Sequence, residues 1–233
     1  TKGKNRCSNS IFSDMLNKLQ SIIIEALASS FLKERFYWTG GTLLAEKYLQ
    51  HRRSFDIDLF SDTQFRYEEI APFVKLLQGK TRLEFVEEKK VFDRWEFFLH
   101  NEEEARLEFV HYNFPALKPR ETWKGIFIDS LDDIAANKVM AALDRHEPKD
   151  VVDIYFLLTK ANYTPQELLK LHSRKFEIKI DEFTLWGELS RGARRLNEIR
   201  PLLVGDKSEE QILSDIQKYL ELHSAEYAKG QLE

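Results

Sequence analysis

The chain has 233 residues, enough for one large domain or a domain with an appendage, and 42% hydrophobic content gives it an ordinary globular core. Its 35 basic and 39 acidic residues leave a formal net charge of −4, which does not advertise nucleic-acid binding, so any such contact falls to local basic patches. The single cysteine, Cys7, excludes internal disulfides and a cysteine-based zinc site.

In chain order, residues 1–10 are polar and read as a flexible N-terminus. Ile11 to Leu32 carries apolar residues at helical spacing (Phe12, Met15, Leu16, Leu19, Ile22, Ile23, Ala26) and predicts a helix. Tyr37-Trp38-Thr39 reads as a strand running into a Gly40-Gly41-Thr42 turn, with Thr42 capping a helix from Leu43 to Gln50. Ser54 to Phe60 predicts a second strand. Period-two alternation puts Asp56 and Asp58 on one face of it and Ile57 and Leu59 on the other. Tyr67 to Gln78 reads as helical. The aromatic and β-branched runs 82–86, 91–99 and 106–112 predict a strand meander, with a short extra strand at Ile126 to Ile128. Ser130 caps a helix to about Leu143, Pro148 opens one to about Lys160, and Thr164-Pro165 opens another. Beyond residue 165 the pattern is helical throughout: 165–174, 180–190 and 209–228.

Two carboxylates converging on one face repel unless a cation lies between them, and magnesium commonly bridges one or two carboxylates to substrate phosphates. Glycines allow a backbone to approach a phosphate closely, and a helix N-terminus there favours an anion. The order strand, glycine turn, helix, Asp-x-Asp strand thus describes a site for a metal-bound nucleoside triphosphate. No Gly-Lys-Ser/Thr follows the glycines and no Gly-x-Gly-x-x-Gly follows a strand, which excludes a P-loop and leaves dinucleotide binding without support.

Gly40-Gly41-Thr42, then His51-Arg52-Arg53-Ser54, then Asp56-Ile57-Asp58-Leu59-Phe60 resemble the signature of the AbiEii/AbiGii-type nucleotidyltransferase toxins, a branch of the polymerase-β-like superfamily that includes MenT-type toxins. Lys138, Arg145 and Lys149-Asp150-Val151-Val152-Asp153 resemble the second block of that family, and the likeness spans about residues 12 to 160. The resemblance implies an α/β (α+β) fold: a polymerase-β-like core with a mixed sheet over 11–128, followed by a helical C-terminal region over 129–233. It implies transfer of a nucleoside monophosphate from an NTP to a hydroxyl of tRNA or another RNA, by a toxin neutralised by a separate protein antitoxin. Magnesium, or manganese in its place, would be held by Asp56 and Asp58 with Glu108 as a third carboxylate. Gly40, Gly41, Thr42, Arg53, Ser54 and Lys138 would bind the nucleotide. Lys138 would offset charge on the leaving pyrophosphate, while Asp150 and Asp153 would hold Lys138 or act as a base.

Two other readings share the same residues: a nucleotidyltransferase acting on a small molecule or a protein, of the aminoglycoside-modifying type, and an NTP-binding module without turnover. The late arginines Arg191, Arg194, Arg195 and Arg200 offer an RNA-contacting stripe, with plain surface solvation the better reading. No apolar stretch is long enough to span a membrane and no secretory signal is visible, so the expected home is the cytoplasm, with no membrane partner.

Overall fold

The computed structural model describes residues 15–83 and 85–230. The N-terminal segment 1–10 and the predicted helical start at 11–14 lie outside them. Helix α1, Lys18–Ala28, is opened by a capping box in which Asn17 accepts from the Gln20 amide and Gln20 accepts from the Asn17 amide. It is shorter than predicted, because Ser29 and Ser30 break the pattern and Ser30 caps a separate 3-10 turn, Phe31–Glu34. Strand β1, Tyr37–Thr39, leads into α2, Gly40–Leu43, which continues as a wider π turn, Leu44–Leu49. The cap residue is therefore Thr39 rather than Thr42. Strand β2 is Asp56–Ser61 and helix α3 is Tyr67–Thr81.

The meander forms β3, Phe85–Val91, β4, Arg94–His100, and β5, Glu104–His111. The sequence places the first turn of the meander in the charged run Glu87 to Lys90, yet that run lies within β3 and the chain reverses at Phe92-Asp93. β3 is an edge strand, and charged side chains there leave the edge open to water without breaking the strand. A strand not predicted, β6 (Glu121–Trp123), pairs antiparallel with β7, Ile126–Ile128.

All seven strands join one mixed sheet in the order β3-β4-β5-β2-β1-β7-β6. β2 runs parallel to β5 and antiparallel to β1, and β1 runs parallel to β7. The pairing puts Asp58 opposite Glu108 and Glu108 opposite Glu96. One face of the central strands is therefore polar: Asp56 and Asp58 on β2, Arg106 and Glu108 on β5, Arg94 and Glu96 on β4. The other face carries Ile57, Leu59, Leu107, Phe109 and Phe97, all fully buried, against Ile23 and Leu27 of α1 and Ile70, Phe73 and Leu77 of α3. Burying such a side chain stabilises by roughly 1.5–3 kcal/mol, so a one-residue slip that exchanged the two faces would be ruinous.

After β7 the chain is helical: α4, Leu131–Arg145, α5, Pro148–Thr159, α6, Pro165–Phe176, α7, Glu182–Ala193, a 3-10 segment, Leu196–Leu202, and α8, Glu209–Gly230. Ser130 and Thr164 cap α4 and α6 as expected, and Pro148 and Pro165 sit in first turns, where the missing N–H costs nothing. These helices share one hydrophobic core with the sheet. Their approach to its polar face encloses the site. A backbone pairing ties the chain before β2 to the 3-10 segment: the Arg53 amide donates to the Leu202 carbonyl (2.7 Å) and the Val204 amide to that of His51 (2.9 Å).

Candidate active site

A cleft of about 590 Å³ lies between the polar sheet face and α4. Its floor holds Asp56, Asp58, Glu108, Arg106 and the Gly40-Gly41 turn; its opposite wall holds Lys138 and Arg145. Gly40 has φ +81°, and a Cβ there would lie 1.8 Å from Asp58 Oδ2. A Cβ on Gly41 would lie 2.5 Å from Arg52 Nη2. The two glycines thus leave room for a carboxylate and a guanidinium to press against backbone.

Asp56 and Asp58 both face the cleft, as period-two alternation requires. Arg106 clamps Asp56 through Nε (3.0 Å) and Nη2 (2.8 Å), and Nη2 also reaches Glu108 Oε1 at 2.8 Å. Lys149 stands 3.7 Å from Asp56. Glu108 is buried, with Arg94 3.5 Å from its other oxygen. Asp58 forms no ion pair among the described residues; burial and the neighbouring carboxylates Glu108 and Asp56 push its pKa up to about 7. Burial raises Glu108 as well, against the pull of Arg106 and Arg94.

The opposite wall is built differently. Asp153, wholly buried on α5, takes both arms of Arg52 (2.7 and 2.8 Å), Lys138 Nζ (2.6 Å) and His51 Nε2 (2.6 Å). Asp150, also wholly buried, takes Lys138 Nζ (3.1 Å) and both arms of Arg145 (2.7 and 2.9 Å). Burial alone would raise both carboxyls. The cations outweigh it, holding Asp150 below the usual range and Asp153 well below. Burial lowers His51 in spite of Asp153, so its ring is neutral near pH 7 and Nε2–H donates to the carboxylate. Arg52, Lys138 and Arg145 against Asp150 and Asp153 leave one surplus positive charge at the cleft.

The structure brings Gly40, Gly41, Ser54, Asp56, Asp58, Glu108 and Lys138 to the cleft, and leaves out four of the predicted residues. Thr42 points its hydroxyl at the Asp56 carbonyl, pinning α2 to β2. Arg53 is exposed and does not line the cleft; Arg52 does. Asp150 and Asp153 lie behind the cations, which favours the reading that they hold Lys138 over that of a base in contact with substrate. Sequence reasoning weighed the pair Arg52-Arg53 for the triphosphate and took Arg53, missed Arg94, left Arg106 without a role, and did not connect His51 to Asp153. Extending the alternation of Asp58 and Asp56 back through Ser54 reaches Arg52, so parity carried the signal for that residue.

Among the described residues, no group of three or more His, Cys, Asp or Glu side chains is disposed to hold a metal ion. Asp56 and Asp58 fit it as a pair, and magnesium commonly takes one or two carboxylates when phosphates and water complete its shell. Arg106 holds both oxygens of Asp56 as well as one of Glu108, so of the three carboxylates only Asp58 has no cation beside it among the described residues, and Asp56 or Glu108 would reach a metal by exchanging the guanidinium for it.

Residues 22–225 match the sequence family described as nucleotidyl transferase AbiEii toxin, type IV TA system. An uncharacterised protein of Aquifex aeolicus (strain VF5) is 27% identical over 208 residues, covering 88% of this chain and 91% of that one. The fold is similar to that of JHP933 from Helicobacter pylori (TM-score 0.55, 18% identity, 92% of each chain covered). It is also similar to that of MenT4, a nucleotidyltransferase toxin from Mycobacterium tuberculosis H37Rv (TM-score 0.52, 17% identity, 86% of this chain and 81% of that one).

Proposed function

The chain belongs to the AbiEii family of nucleotidyltransferase toxins of type IV toxin–antitoxin systems, and on that premise we propose that its cleft transfers a nucleoside monophosphate from an NTP to a hydroxyl of RNA, tRNA foremost, with release of pyrophosphate. The carrying observation is the meeting of two unlike walls: Asp56 and Asp58 on the sheet, with the Gly40-Gly41 turn beside them, face Lys138 and Arg52 across one cleft.

Gly40 and Gly41 let the triphosphate approach the backbone. Arg52 and Lys138, held rigid by Asp153, face the phosphates, and their fixed charges cost no reorganisation as negative charge moves to the leaving pyrophosphate. Partial exclusion of water by α4 strengthens that interaction. Ser54 lies between Arg52 and Asp56 and offers a hydroxyl to the nucleotide. Magnesium, or manganese in its place, held by Asp56 and Asp58, would supply Lewis-acid neutralisation of the phosphate oxygens and activate the acceptor hydroxyl. Arg106 keeps Asp56 and Glu108 aligned when no ion is bound. The nucleotidyltransferase core is taken as 11–128 and the helical region as 129–233. The toxin works in the cytoplasm and a separately encoded protein antitoxin restrains it.

The test is incubation of the purified protein with each α-labelled NTP, magnesium and total RNA. The expected result is label in RNA with at least one nucleotide and none with chelator. Label in an added aminoglycoside instead of RNA would transfer the assignment to a small acceptor. No incorporation with any nucleotide or acceptor would favour an NTP-binding module.

A further inference from the structure

A second cavity of about 580 Å³ adjoins the first and shares Arg52, Ser54, Asp56, Arg106 and Lys149 with it. Its remaining wall has a different chemistry. Phe55 (45% exposed) and Phe98 present aromatic surface, Ile199 and Leu202 of the 3-10 segment close it from the helical side, and His100 and Glu104 form a polar stretch of its lining. The size is that of a pocket for one small organic group. Phe55 immediately precedes Asp56, and its carbonyl accepts the Arg106 backbone amide at 3.1 Å, which ties the chain at the base of the ring to β5.

We propose that this cavity is a nucleobase subsite, occupied by the terminal unpaired base of the RNA acceptor. The inference rests on the reading of the first cleft as the transfer site. Asp56 lines both cavities, so a nucleotide whose base sits against Phe55 places its sugar at the shared ridge, beside the proposed metal carboxylate. On that ridge Arg52 is paired with Asp153 and Arg106 with Asp56 and Glu108, whereas Lys149 stands 3.7 Å from Asp56, partly exposed, the cation placed to meet the acceptor's phosphodiester. An apolar aromatic wall beyond a basic ridge is the arrangement by which proteins hold single-stranded nucleic acid, with the base stacked and the backbone paired to cations. The triphosphate's own base is the alternative occupant, and the kinetics separate the two.

The experiment compares wild type, Phe55→Ala and Phe55→Trp in steady-state transfer to tRNA. In parallel, anisotropy of a labelled single-stranded 12-mer RNA is measured without nucleotide. Truncating a stacking ring at a half-exposed position should raise the acceptor KM and the RNA Kd by about 5- to 100-fold. The NTP KM should stay within about twofold and Phe55→Trp should bind as wild type does. A rise in NTP KM alone would assign the cavity to the incoming nucleotide and overturn the proposal. Unchanged RNA binding in Phe55→Ala, or no RNA binding by the wild type, would overturn it as well. If RNA binds and responds to Phe55 while no transfer occurs with any nucleotide, the subsite stands and the transfer reading fails.

Discussion

Asp58 and Asp153 are the same side chain placed on opposite walls of one cleft, and they behave in opposite ways. Asp58 lies partly open at the cleft floor, yet its pKa rises to about 7; Asp153 is wholly buried, yet its pKa falls well below the ordinary value. Burial alone would order them the other way. Burial raises both, and neighbours decide the outcome: Asp58 meets Glu108 and Asp56 besides, whereas Asp153 is surrounded by Arg52 and Lys138 and accepts a hydrogen bond from His51. A carboxylate left without a cation is a place for a cation to come, and a carboxylate saturated with cations is scaffold. The difference separates the proposed chemistry of the sheet wall from the positioning role of the helical wall.

Removing each carboxylate in turn is the strongest way to break this contrast. Asp58→Ala should cut nucleotide transfer about 10³-fold or more. Its thermal midpoint without metal should equal or exceed that of wild type, because a repelled carboxylate has gone; activity assays paired with calorimetry read both. Asp153→Asn should do the reverse first. It leaves Arg52 buried without its anion and Lys138 with Asp150 alone, a loss of roughly 3–5 kcal/mol in stability, seen in urea unfolding. Gly40→Ala falls between them. Its Cβ has no space beside Asp58 and its φ is positive, so transfer should fall with a moderate loss of stability, about 1–2 kcal/mol.

The two walls should also respond oppositely to pH. A group whose pKa is raised on folding takes up a proton, so the Asp58 contribution to metal-free stability is full below about pH 4 and lost as the pH rises towards 7. Asp150 and Asp153 have lowered values, so their contribution is present above the ordinary carboxylate pKa and lost as the pH falls below it. Unfolding of Asp58→Asn across pH 4 to 8 should therefore show a smaller decline than wild type, Glu108 and Asp129, which burial also raises, keeping their share. The smallest effect expected is that of Thr42→Val, which removes only the hydroxyl that pins α2 to the Asp56 carbonyl, about 1 kcal/mol by calorimetry.

The sheet wall was legible in the sequence because its information is local. Alternation over Asp56 to Leu59 assigns faces without any knowledge of partners, and Ser130, Pro148 and Thr164 mark helix starts by chemistry within one turn. The helical wall was legible only in part. That Asp153 takes Arg52 and His51, 101 and 102 residues away, is a fact of packing. Nothing in the run His51-Arg52-Arg53 says which arginine turns inward until the strand parity is carried past Ser54. β6 escaped because three residues between turns carry too little periodicity to stand out, and β3 was displaced because charges on an edge strand look like a loop.

The most direct test of the contrast is carboxyl NMR of Asp58 and Asp153 in the metal-free protein, titrated over pH and repeated with magnesium. The account predicts that Asp58 titrates near 7, that magnesium lowers this midpoint because metal and proton compete for one carboxylate, and that Asp153 stays ionised throughout. An Asp58 that titrates near 4 and ignores magnesium would contradict it.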